Sequence, residues 1–111
     1  MCSYLKYIES NGVSLSKIGT TGYGLNRKTA LAAIELLKKE GIPILGGDVL
    51  KQTNNEIGFT YDSWYIDKEP DIDEKEYVKR SVEKTIDYIK NYPEQEDEII
   101  IYNLVTGEKI D

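Results

Sequence analysis

The stretch from Asn26 to Pro43 constrains the fold more than any other part of the sequence. Ala30, Ala33, Ile34 and Leu37 recur at the spacing of one helical face, with Leu31 at its edge. Asn26 offers a side-chain oxygen to the first-turn amides, Gly41 supplies a residue at ease in the left-handed region, and Pro43 bars continuation. The spacing predicts a helix over 27–40 that is apolar on one side only. Such a helix needs an apolar surface to lie on.

The rest of the chain supplies one. A second helix is signalled after Pro70 by Asp73-Glu74-Lys75-Glu76, a capping-box arrangement with carboxylates at the positive end of the helix dipole. Its apolar face is Val78, Val82, Thr85, Ile86 and Ile89, and Pro93 closes it. A shorter pattern, Tyr4, Leu5 and Ile8 before Asn11-Gly12, predicts one or two helical turns. Three stretches have strand character. Ile42–Leu45 with Val49–Gln52 forms the first, interrupted at Gly46-Gly47. Ile57–Ile66 alternates, with Ile57, Phe59, Tyr61, Ser63 and Tyr65 on one face and Thr60, Asp62, Trp64 and Ile66 on the other. Thr53-Asn54-Asn55-Glu56 between them has turn chemistry and predicts an antiparallel hairpin. The third strand is Glu98–Val105, whose Ile99-Ile100-Ile101 run suggests cover on both sides and a central position. Thr106-Gly107 then permits a turn and a short return through Lys109 and Ile110. These stripes are all satisfied by an α+β, two-layer domain: a small, mostly antiparallel sheet of three to four strands with two main helices on one face. Residues 1–111 form one domain, since two halves of this length would each be too small for a core.

Composition narrows the chemistry. The chain has no histidine and one cysteine, Cys2, so the usual proton shuttle is missing and a tetrahedral zinc site would need carboxylates alone. An internal disulfide is impossible. Residues 1–52 carry seven basic and four acidic side chains, net +3, and residues 53–111 carry seven basic and sixteen acidic, net −9. That field repels nucleic acid and attracts cationic proteins. No apolar run is long enough to cross a bilayer and the start lacks the pattern of a secretory signal, so the expected compartment is the cytoplasm and no membrane partner is expected.

Motifs for bound groups are incomplete. Gly19-Thr-Thr-Gly22-Tyr-Gly24 leads toward Arg27-Lys28-Thr29, but arginine replaces the glycine that a phosphate loop has before its lysine, and no apolar strand precedes it. A dinucleotide fingerprint beginning at Gly22-x-Gly24 fails at its third glycine. Asp67-x-Glu69-x-Asp71 begins like a calcium loop, yet Ile72 stands at the glycine position and Val78 at the bidentate glutamate. No cofactor, metal or catalytic residue is assigned. The stronger constellation is Gly46-Gly47-Asp48-Val49 with Tyr61-Asp62-Ser63-Trp64-Tyr65. The glycines permit close approach by another segment, and Asp48 can pin the bent strand. Tyr61, Trp64 and Tyr65 are amphipathic anchors ringed by Asp62, Asp67 and Glu69, a composition suited to a protein interface.

At these residues the chain resembles the immunity protein 40 family of bacterial polymorphic toxin systems. The resemblance runs from Ala30-Leu31-x-x-Ile34-x-x-Leu37 through Gly41-Ile42-x-Ile44-Leu45-Gly46-Gly47-Asp48-Val49. It continues through Tyr61-Asp62-x-Trp64-Tyr65 to Tyr77-Val78-x-x-Ser81 and Tyr88-Ile89-x-x-Tyr92, and covers most of the chain after residue 19. It implies a cytoplasmic inhibitor that shields the producing cell from a secreted toxin. The expected partner is a cognate toxin protein, a basic one by the charge argument, met by a monomer or weak homodimer through Asp48, Tyr61, Asp62, Trp64, Tyr65, Asp67 and Glu69. The alternatives are a small ligand- or nucleotide-binding protein or enzyme using the Gly22–Thr29 loop, and a structural subunit of an assembly.

Overall fold

The computed structural model describes residues 3–20, 22–53 and 56–109. Three helices, α1 (Ser3–Asn11), α2 (Arg27–Glu40) and α3 (Glu74–Asn91), accompany five strands: β1 (Val13–Ser14), β2 (Tyr23–Gly24), β3 (Ile44–Thr53), β4 (Glu56–Tyr65) and β5 (Ile99–Thr106). The long strands form an antiparallel sheet in the order β4-β3-β5, and β1 and β2 pair as a separate small ribbon. The α+β architecture expected from the apolar stripes is present.

Helix α2 begins and ends where its sequence dictates. The Asn26 side chain accepts the Thr29 amide at 2.8 Å, and Gly41 takes the left-handed conformation, φ 72°, while donating back to the last turn. Ala30, Ala33, Ile34 and Leu37 are buried against α1, α3 and the sheet residues Ile44, Val49, Ile100, Tyr102 and Leu104. Burying a side chain of this kind contributes roughly 1.5–3 kcal/mol for the larger members. Helix α3 is set by the residues expected, with Tyr77 and Ser81 added to the buried face and Ile86 only half-buried at its edge. Asp73 sits at its N-cap but its carboxylate makes no capping bond, so the acidic first turn acts through the dipole alone. Two polar contacts lock α3 in place. Ser81 accepts the Ile44 amide at 3.0 Å and donates to Val78 O at 2.9 Å, which ties the start of β3 to the helix. Arg27, in the first turn of α2, donates to Ile89 O and Tyr92 O, and so puts a cation on the carbonyl end of α3.

Three expectations change. Strand β3 is continuous through Gly46-Gly47, because both neighbours pair with it there: Gly47 opposes Trp64 on one side and Leu104 on the other. The glycine pair marks a close approach within one strand. The central strand is β3, while β5 lies at the side and is flanked further only by an isolated bridge between Leu25 and Tyr102. The apolar run in β5 has a second cause: Ile100 faces the helices, whereas Ile101 packs with Leu15 and Leu50 under the segment joining β1 and β2. Ile99 is exposed. Beyond β5, Gly107 donates to Pro43 O; Ile110 and the Asn54-Asn55 turn lie outside the described residues. Among the described residues, no helix is long and apolar enough to cross a membrane.

A Cβ on Gly47 would press into the Trp64 ring, 2.5 Å from Cζ2, and against Asn103 O. Gly47→Ala is therefore expected to lower the free energy of unfolding by about 1–3 kcal/mol in urea titrations, as overpacking does.

Candidate functional site

The hairpin of β3 and β4 divides its side chains between two faces. Trp64, opposite Gly47, lies on the helical side. Its indole N–H donates to Thr85 Oγ1 at 3.1 Å, and its ring stacks on Tyr88 with centroids 4.8 Å apart. Tyr102 and Tyr92 extend the aromatic cluster edge-to-face. The polar tips are satisfied in turn: Tyr102 donates to Glu94 Oε2 and Tyr92 to Asp62 Oδ2, each at 2.6 Å. Burial and then the Asp62 hydrogen bond push the Tyr92 hydroxyl up to about 12. Burial also raises Tyr102, aided by Glu94, and Tyr88, aided by the Asp62 charge.

Between Phe59 and Ser63 the strand bulges outward. Phe59 pairs with Leu50 and Ser63 with Asp48, so Thr60, Tyr61 and Asp62 all stand opposite Val49. Tyr61 takes a left-handed φ of 68°, unusual for a bulky residue. Its neighbours hold it there. Thr60 Oγ1 donates to Val49 O at 2.8 Å and accepts the Asp62 amide at 3.1 Å, while Tyr92 holds the Asp62 carboxylate. The Tyr61 side chain is 92% exposed. Because the bulge inserts two residues, the alternation resumes in phase, and Ile57, Phe59, Ser63 and Tyr65 share the face turned from the helices. Phe59 is 49% and Tyr65 79% exposed.

The residues singled out in the sequence are thus distributed over three places. Tyr61 and Tyr65 present rings to solvent on β4. Asp62, itself exposed, pins the bulge to Tyr92, and Trp64 looks inward and docks α3. Asp67 and Glu69 follow in the exposed loop, where Glu69 pairs with Arg80 at 2.8 Å. Asp48 lies half-buried on β3, on the same face as Ser63. Phe59, Thr60 and Tyr92 belong to the arrangement and were not foreseen; the polar Thr60-Tyr61-Asp62 triplet inside a strand was their only local signal. The glycine stretch before α2 has a packing role: a Cβ on Gly24 would enter Ile101, and the Thr29 amide at the helix start is already taken by Asn26. Among the described residues, no group of three or more histidine, cysteine, aspartate or glutamate side chains is placed to hold a metal ion.

The sequence profile of immunity protein 40 matches residues 14–106, which takes in both strands of the hairpin, α2, α3 and β5. The chain belongs to the immunity protein 40 family. Membership assigns it an immunity function in general. The matched span includes every residue of the aromatic and acidic surface described above. No curated protein and no solved structure matched the chain.

Two measurements probe the inner side of this site. Thr85→Val removes the acceptor of the Trp64 indole and is expected to cost about 1–3 kcal/mol, as an orphaned buried donor does. The emission of Trp64, the only tryptophan, should shift with it. The tyrosines predict alkaline sensitivity. Tyr92 is raised from an ordinary value near 10 to about 12, so the folded state keeps a proton that the unfolded chain has released. Stability is complete below pH 10 and falls as pH rises toward 12. The urea midpoint should be level to pH 9 and decline above 10, with a shallower decline in Tyr92→Phe.

Proposed function

We propose that this protein binds a cognate toxin domain and neutralises it by covering its active site or substrate path, without chemistry of its own. The contact surface is the outward side of β4 and the loop after it, with Tyr61 and Tyr65 as anchors, Phe59 beside Tyr61, and Asp67 and Glu69 at the rim. The Tyr61 bulge carries this reading. A non-glycine residue in the left-handed region stores about 1–3 kcal/mol of strain, and such strain gathers at binding sites. Here three hydrogen bonds maintain it only to present a ring that touches almost nothing in its own chain. An aromatic group fixed in advance loses little entropy when a partner covers it.

Charge agrees with that role. The chain carries −6 overall, and the excess lies in its second half, which speeds encounter with a basic protein. Asp62 and Trp64 serve as supports, the first by holding the bulge at the surface and the second by holding the hairpin on α3. Non-covalent occlusion asks nothing of a histidine, which the sequence lacks, and works in the cytoplasm of the producing cell.

The direct test is co-expression with the toxin domain encoded beside this gene. The wild-type chain should restore growth, and Phe59→Ala with Tyr61→Ala should weaken both protection and binding at least tenfold while the melting temperature stays within a few degrees. Trp64→Ala, in contrast, should destabilise the fold by about 3–5 kcal/mol. Full protection by the double variant would overturn the proposed surface.

A further inference from the structure

We infer that the groove beside Asp48 is a socket for one arginine side chain of the bound partner. The inference rests on the toxin-binding reading and names the chemistry that the sheet selects. Asp48 stands in the middle of β3 on the face turned from α2 and α3, opposite Ser63 of β4 and Asn103 of β5. Directly opposed residues have Cβ atoms about 4.5–5.5 Å apart. A carboxylate, a hydroxyl and a carboxamide therefore form one polar row across three strands.

The next row on the same face is Tyr65, Gly46 and Val105. Its middle position has no side chain, while Tyr65 and Val105 on either side are 79% and 43% exposed. Gly46 lies in the floor of an open groove of about 320 Å³, with Asp48 and Ser63 at one end. The groove thus has apolar walls, an aromatic ring and a polar end.

That end lacks a cation. Arg27 and Arg80 lie on α2 and α3, on the other side of the sheet, and Lys51 is paired with Glu98. Among the described residues, no side chain donates a hydrogen bond or ion pair to Asp48, although it is half-buried between its neighbours. An unpaired carboxylate gains a charge-assisted hydrogen bond from a cationic donor arriving from outside. A guanidinium suits the row better than an ammonium. It is planar, donates in a fork to a carboxylate, has further N–H groups for the Ser63 hydroxyl, and stacks its face on a ring such as Tyr65. Its aliphatic stem would lie over Gly46 against Val105.

The test is calorimetric titration of the same toxin domain into wild-type protein, Asp48→Asn and Ser63→Lys, combined with replacement of each toxin arginine by methionine or lysine. Asp48→Asn should weaken binding at least tenfold. One toxin arginine, changed to either residue, should do the same against wild type yet add less than twofold against Asp48→Asn. Ser63→Lys fills the socket from within, and should weaken binding at least tenfold while leaving the melting temperature equal or higher. Wild-type binding with Asp48→Asn or Ser63→Lys within twofold of it would overturn the socket and leave the binding function standing. Coupling of Asp48 to a toxin lysine would overturn the choice of arginine. Absence of wild-type binding would overturn both readings.

Discussion

The contact between Trp64 and Gly47 decides where everything else in this molecule goes. An indole can lie against the middle of a central strand only if that strand has no side chain at the point of contact, and position 47 provides this. From there the ring reaches Thr85 and stacks on Tyr88, so the hairpin and α3 are joined by a hydrogen bond and an aromatic face together. Arg27 and Ser81 then fix the C-terminal end and the middle of the same helix, against α2 and against the start of β3. The helical layer is positioned by a few directional contacts laid over a nonspecific apolar core.

The neighbouring glycine answers a different constraint. Gly46 has φ 152°, and a Cβ there would run into the backbone carbonyl of Trp64, so β3 and β4 approach closely at that point. Strand alternation then sends Trp64 inward and Tyr65 outward. The division explains why residues that look alike in sequence have unlike surroundings: Trp64 and Tyr65 are neighbours, but one is packed into the fold and the other stands in solvent.

Much of the fold was legible in the sequence because short-range chemistry specified it. Asn26, Gly41 and the alanine-rich stripe bounded α2 correctly, and the alternation of β4 placed Trp64 and Tyr65 on their proper faces. Strand order was less accessible, because three isoleucines in a row report burial without naming its source; Ile101 is covered by Leu15, which is remote in sequence. The bulge was hidden for a similar reason. It adds two residues and so preserves the period on either side, and its pins, Val49 O and Tyr92, come from other elements. The unpaired state of Asp48 is likewise a property of the assembled sheet, which brings Ser63 and Asn103 beside it but no described cation.

The same bulge has a consequence for how the molecule behaves in a crowd. Strand β4 forms one side of the sheet, and an uninterrupted ten-residue strand there would offer a template of backbone donors and acceptors to any other chain. Displacement of Thr60, Tyr61 and Asp62 cuts that template into Glu56–Phe59 and Ser63–Tyr65, each shorter than a strand of the usual length. The bulge that turns the Tyr61 ring outward thereby also shortens the ladder that this edge of the sheet offers to other chains.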